Sequence, residues 1–107
     1  MNETGRFFIN SFFNKQFDTS VKYLDTSVRN QITPDLLNQT EVTITSQIGK
    51  YIENIETNEE EIDGYEIFYY YSKFEKQQLD IKITFNKNRK IVGFFFVPHK
   101  IFAKKQP

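Results

Sequence analysis

The side chains able to do chemistry are few. His99 is the only histidine and cysteine is absent. Disulfides, thiolate nucleophiles, cysteine-based zinc sites and multi-histidine metal sites are thereby removed. A histidine-paired nucleophile would have to be built on His99 itself. That residue stands between Pro98 and Lys100 after the last apolar run and is expected to be exposed. No serine occupies a G-x-S-x-G context, and neither a phosphate-cradling glycine loop nor an EF-hand spacing occurs. No catalytic residue, metal or cofactor is assigned on this basis.

Two carboxylates and a group of tyrosines remain. Glu41 falls on the same helical stripe as Leu37, Ile44 and Ile48, where burial would raise a carboxyl pKa and prepare a general base. Asp80 is expected on the wet face of its strand, next to Lys82. Tyr65, Tyr69, Tyr70 and Tyr71 would supply a pocket with hydroxyl donors, or else pack as ordinary cross-strand aromatic pairs. The ligand-pocket candidates are therefore Glu41, Tyr69 and Tyr71. Lys87, Arg89 and Lys90 form a basic turn that would touch a phosphate, although a solvated hairpin end is the simpler reading.

The elements that must position these groups divide at Gly49. In "ETGRFFINSFFNKQF", Phe8 and Phe12 recur at helical spacing, as do Ile9 and Phe13, which predicts a helix over 3–15. Asp18 opens a short second helix that carries Val21 and Leu24 inward. "TPDLLNQTEVTITSQIGK" alternates like a strand at "EVTIT". Its ends favour a helix, with Thr33 as cap, Pro34 in the first turn and Gly49 just past the end.

After Gly49 the period changes to two. Four strand-like runs are separated by turn signals at Asp63-Gly64, Lys76-Gln77 and Asn86-Lys87-Asn88, an antiparallel meander. Leu79, Ile81, Ile83 and Phe85 alternate with polar residues. "YEIFYYYSKF" is apolar on both sides, with Tyr65, Ile67, Tyr69 and Tyr71 on one face and Phe68, Tyr70 and Phe74 on the other. The acidic "ETNEEE" reads as a solvated turn. Helices followed by such a run indicate an α+β domain, its N-terminal helices packed on a four-stranded antiparallel sheet. Residues 1–98 are expected to form this single domain and 99–107 a polar tail or linker.

Composition excludes several partners. The 14 basic and 14 acidic residues balance, so no net field draws the chain to nucleic acid or to an anionic membrane. No apolar run approaches the roughly 18 residues of a transmembrane helix, so no membrane insertion is expected. The N-terminus has no signal-peptide pattern. Compartment stays undecided, since a trimmed chain would look the same.

In "GFFFVP", Phe95 must point to one side of the sheet and Phe94 and Phe96 to the other. Helices cover one side. Val92, Phe94 and Phe96, with Phe68 and Tyr70 from the neighbouring aromatic run, are expected to form a second apolar surface, covered by a second copy, a neighbouring domain or a partner. The competing possibility is that sheet curvature and the tail "IFAKK" cover it within the monomer.

The succession "KQFDTSVKYLD", "ITPDLLNQT", "QIGKY" and "LDIKITFNKNRKIVGFFFVP" resembles the bacterial family known as domain of unknown function 3887, over about 7–98. Leu79, Asp80, Phe85, Ile91, Gly93 and Phe95 stand in matching places in the last hairpin. Glu41 and the threonines around it depart from the family's more apolar helix. The resemblance implies a cystatin-like cone of the nuclear-transport-factor-two kind, with helices in the concave side of a bent sheet. It also implies a bacterial accessory module, found alone or ahead of a serine hydrolase domain, with no catalytic residues to carry over. A secreted or cell-envelope location stays open if a targeting segment has been removed. The functional expectation is a non-enzymatic interaction domain, forming a homodimer or docking a neighbouring domain through an aromatic sheet face. The alternative is a small-molecule domain with a pocket between helices and sheet for a small apolar ligand, enzymatic in its extreme form.

Overall fold

A computed structural model describes residues 1–102. Of the expected tail at 99–107, residues 103–107 lie outside them. Helix α1 (Asn2–Phe13) leads into a short α2 (Phe17–Ser20), then two single 3-10 turns (Val21–Tyr23 and Thr26–Val28), then α3 (Pro34–Ile48). Strands β1 (Tyr51–Ile62), β2 (Tyr65–Phe74), β3 (Gln78–Phe85) and β4 (Ile91–Val97) follow as one antiparallel meander. The fold is α+β, with the helices on one face of an open sheet. That agrees with the cystatin-like arrangement in its order of elements and in the placing of its helices. No helix among the described residues is long and apolar enough to cross a membrane.

The ends of α3 resolve its ambiguous middle. Thr33 accepts a hydrogen bond from the Leu36 N–H at 3.2 Å, and Pro34 fills the first turn. Gly49 takes φ of 86°, a left-handed value that stops the helix. Lys50 N–H then donates to Glu75 Oε1 at 2.7 Å, which ties the helix end to the β2–β3 turn. The strand-like "EVTIT" thus sits in a helix, as the ends of the stretch predict, because both ends are capped and Leu37, Glu41 and Ile48 face inward.

Helix α1 sits on the sheet through aromatic side chains. Phe8 and Phe12 meet Phe94 edge-on at centroid distances of 4.8 and 5.0 Å, a favoured geometry for the ring quadrupoles. Each fully buried phenylalanine contributes roughly 1.5–3 kcal/mol. Beneath the other end of the helix, the fully buried Tyr70 donates its hydroxyl to the Asn2 carbonyl at 2.9 Å. The helix can lie this close because position 5 is glycine. A Cβ there would fall 2.0 Å from the Tyr70 hydroxyl oxygen.

Irregularities bend the sheet at both edges. Register shifts occur in β1 at Tyr51/Glu53 and Asn54/Glu56, and opposite β4 at Thr84/Phe85; such bulges add local twist and curvature. The "ETNEEE" segment is no turn. Its residues run in register with β2, Glu59 opposite Phe68 and Glu61 opposite Glu66, because Asp63-Gly64 supplies the reversal instead. Acidic side chains can occupy this strand since it is the sheet's outer edge and most of them reach water.

Gly5→Ala is expected to destabilise the protein by about 1–3 kcal/mol, the usual range for overpacking, read as a fall in urea midpoint without a change in slope. A midpoint unchanged from wild type would contradict the close approach. Burial is the main cause that holds the Tyr70 hydroxyl above the ordinary value of 10.0. The unfolded chain releases this proton at the ordinary value while the folded chain keeps it, so the Tyr70 contribution is present below pH 10 and is lost as pH rises beyond it. Tyr70→Phe should therefore flatten the alkaline decline in stability, measured by urea unfolding between pH 8 and about 11. A parallel decline in both proteins would refute the assignment.

Candidate functional site

The sheet separates the residues singled out in the sequence. Glu41 lies on the helix side, 4% exposed, and accepts from Lys15 Nζ at 3.0 Å. Lys15, at φ of 61° just past α1, brings its ammonium across to α3. The pair pins two helices together, away from the cleft between α1 and β1. Tyr69 and Tyr71 lie on the opposite, outer face. The three pocket candidates are therefore not brought together.

The expected associating face is also displaced. Phe94, Phe96, Phe68 and Tyr70 point toward the helices and belong to the core or pack against it. Val92 is the extra residue of the β4 irregularity, half-buried between Ile91 and Gly93. The outer face instead carries Ile67, Tyr69, Tyr71, Asp80, Lys82 and, on β4, Phe95. Alternation fixed that Phe95 opposes its two neighbours, but nothing local said which side the helices would take.

Asp80 and His99 are corrected together. Asp80 lies on the outer side of β3 yet is fully buried, because the chain beyond β4 folds back across it. His99 Nδ1 lies 2.8 Å from Asp80 Oδ1, and the Lys100 backbone N–H donates to Oδ2 at 2.8 Å. With the carboxylate acting as acceptor from both, Nδ1 carries the ring's proton in this bond. The imidazole, expected to be free in solvent, stacks on Tyr71 with ring centroids 3.6 Å apart and planes at 16°.

The same segment makes a second set of contacts one step along β2. Lys100 Nζ donates to Glu60 Oε2 at 2.8 Å, and the Tyr69 hydroxyl donates to the same oxygen at 2.6 Å. The ammonium lies 5.1 Å from the Tyr69 ring centroid and 5.0 Å from that of Phe102, within cation–π range. Phe102 meets the Tyr69 ring edge-on at 5.3 Å. Donation from Lys100 and then Tyr69 holds the Glu60 carboxyl below the ordinary range, and bonding to Glu60 lifts the Lys100 ammonium. Burial, then the Glu60 bond, raises the Tyr69 hydroxyl. Sequence reasoning missed this cluster because its members come from β1, β2, β3 and the tail. The one available signal was a histidine, a lysine and an aromatic side chain close together directly after an aromatic strand.

A separate cleft of about 380 Å³ opens between α1 and β1, lined by Arg6, Asn10, Tyr51, Asn54, Thr57 and Tyr70 among others. Its walls are mainly polar. Of the tyrosines expected to supply a pocket, Tyr70 lines it, whereas Tyr69, Tyr71 and Glu41 do not.

Comparison with known proteins finds no match among curated proteins and none among solved structures. The family described as "Protein of unknown function (DUF3887)" matches residues 6–94. That span runs from Arg6 within α1 to Phe94 within β4, includes the Phe8/Phe12 seat and Asp80, and stops short of His99. By this match over most of its length, the chain belongs to the DUF3887 family.

Proposed function

We propose that this chain is a non-enzymatic interaction domain that associates with a second copy of itself along β4, through the outer aromatic side of its sheet. The observation that carries the reading is the contrast between the sheet's two edges. Natural sheets protect an open edge with charge, proline or distortion. Edge β1 carries Glu53, Glu56, Glu59, Glu60 and Glu61. Edge β4, "IVGFFFV", carries no charge at all, and its Phe95 is 57% exposed. Among the described residues that edge is engaged at its first residue, where Asp25 N–H donates to the Ile91 carbonyl at 2.8 Å.

Antiparallel pairing of two such edges is self-complementary about a two-fold axis, and a closed dimer results. It would cover the Phe95 ring of each copy and join two sheets into one. Pairing through β1 would oppose like charges.

Sedimentation velocity across a wide concentration range is expected to show a monomer–dimer equilibrium in wild type and a monomer for Phe95→Glu. A wild-type monomer at every concentration would sink the proposal. Phe95→Ala should leave stability within about 0.5 kcal/mol, whereas Phe94→Ala should cost about 3 kcal/mol because that ring packs on Phe8 and Phe12. Equal losses at both positions would mean that the faces are wrongly assigned.

A second reading rests on the cleft between α1 and β1. Its polar lining, with Arg6 as its cation among Asn10, Asn54 and Glu56, suits a small polar acid that also carries a hydrogen-bond donor for Glu56 better than the apolar ligand anticipated from the tyrosines. A thermal-shift screen of small carboxylates should then stabilise wild type and lose its effect in Arg6→Ala. No stabilisation by any of them would remove the reading.

A further inference from the structure

We infer that the outer face of the sheet around Asp80 is a recognition site for a short partner segment in which an ammonium precedes an aromatic residue by two positions, and that residues 99–102 are its built-in competitor. The inference does not depend on pairing through β4.

Three features indicate a binding site rather than a casually folded end. The first is Asp80, a fully buried carboxylate whose acceptors are taken by a side chain and a backbone N–H of one neighbouring stretch, His99 Nδ1 and Lys100 N. Burying a carboxylate is costly unless it is hydrogen-bonded, and a segment that covers Asp80 meets that cost when it brings donors such as these. Second, the ammonium position is built from three directions: the Glu60 oxygen at 2.8 Å, the Tyr69 ring, and the Tyr69 hydroxyl that holds Glu60 in place. Third, the aromatic positions are flat receiving surfaces. Tyr71 stacks on the imidazole and Tyr69 takes Phe102 edge-on.

The chemistry defines what fits. A donor pair must reach Asp80, a cation must reach Glu60, and an aromatic side chain must follow two positions later. Glu56 pairs with Tyr71 across β1 and β2 on the same side as Glu60, so the rim adds attraction for a cationic segment. Lys82, 5.9 Å from the Tyr69 ring centroid on this face, sets the limit of the negative region and disfavours a second cation deeper in.

Apart from its two bonds to the buried Asp80, the resident segment is held by contacts that water can reach. The Lys100 side chain is 45% exposed and that of His99 25%. Exposed ion pairs contribute little individually, so an external segment with the same groups can take the place of the tail. Because the tail is tethered only a few residues from β4, its effective concentration at the site is in the millimolar range. An external segment must compete with that.

The test uses the full chain with a released tail, the triple variant His99→Ala, Lys100→Ala, Phe102→Ala, checked for native circular dichroism. The probe is the capped pentapeptide Pro-His-Lys-Ile-Phe, titrated to several millimolar and followed through the Tyr69 and Tyr71 ring resonances. Binding to the released variant should be about tenfold tighter or more than to wild type. Introducing Asp80→Asn or Glu60→Gln into the released variant should weaken it again, and added salt should lower affinity. A control peptide with Lys replaced by Glu should not bind. No binding to the released variant, or equal binding to wild type and released variant, would overturn the inference. Should Asp80→Asn lose the native spectrum, Glu60→Gln alone decides whether the site is the one described. Loss of the monomer–dimer equilibrium in the released variant would instead assign the tail to contacts between copies and overturn its role as an internal competitor.

Discussion

The contact between α1 and Tyr70 governs the rest of the structure. Tyr70 reaches up from the centre of β2 and ends on the Asn2 carbonyl, with Gly5 leaving room for its ring. That fixes one end of α1 against the sheet. The other end is then set by Phe8 and Phe12 on Phe94, and by the buried Ser11–Ser20 hydroxyl pair at 2.7 Å, which turns the chain from α1 into α2. Once α1 is seated, Phe94 and Phe96 must face it, and Phe95 has only the outer side left. The exposure of a single phenylalanine on β4 is thus a consequence of a hydroxyl and a glycine near the other end of the chain.

Much of the architecture was legible because its signals are local. Thr33, Pro34 and Gly49 bracket α3, and Asp63-Gly64 places the first reversal, each through the backbone geometry those residues favour. The alternation of Leu79, Ile81, Ile83 and Phe85 fixes one face of β3. The site was not legible for the opposite reason. Alternation says that Asp80 shares a face with Lys82 but not what lies on that face, and a segment some twenty residues later decides it. The β2 run is apolar on both sides, so period alone could not tell which tyrosines would meet helices. Glu41 was read correctly as a carboxylate on a buried stripe, but its partner Lys15 depends on a left-handed residue after α1. That conformation is unusual for lysine and leaves no trace in the pattern.

The two edges and the two faces divide the demands placed on a small aromatic-rich domain. The inner face carries the packing, where phenylalanine area stabilises the fold whatever the surroundings. The outer face combines Ile67 and Tyr69, both buried, with carboxylates of Glu60 and Asp80 that accept from the covering segment. Edge β1 tolerates its glutamates because water reaches them, and those same glutamates supply Glu60 to the tail. One strand therefore both discourages pairing at its own edge and provides the anion that holds the chain's end.

The tail and the β4 edge are also mechanically related. The segment 98–102 begins directly where β4 ends and crosses toward β2, so its departure point is fixed by the last β3–β4 pair, Asp80 opposite Val97. Asp80 sits at the junction: its backbone closes the ladder and its side chain receives the returning chain. Anything that lengthened β4 by pairing with another strand would favour continuation in the extended direction, past Pro98, whereas the return toward Tyr71 and Glu60 requires the chain to turn away there. Proline removes a backbone donor and fixes φ, which places the end of the ladder at this residue. Occupation of the edge and occupation of the outer face by the tail are consequently linked through one short stretch of backbone. The direction of that linkage follows from geometry: a partner strand that extends beyond Val97 competes with the tail, and one that stops short of it does not.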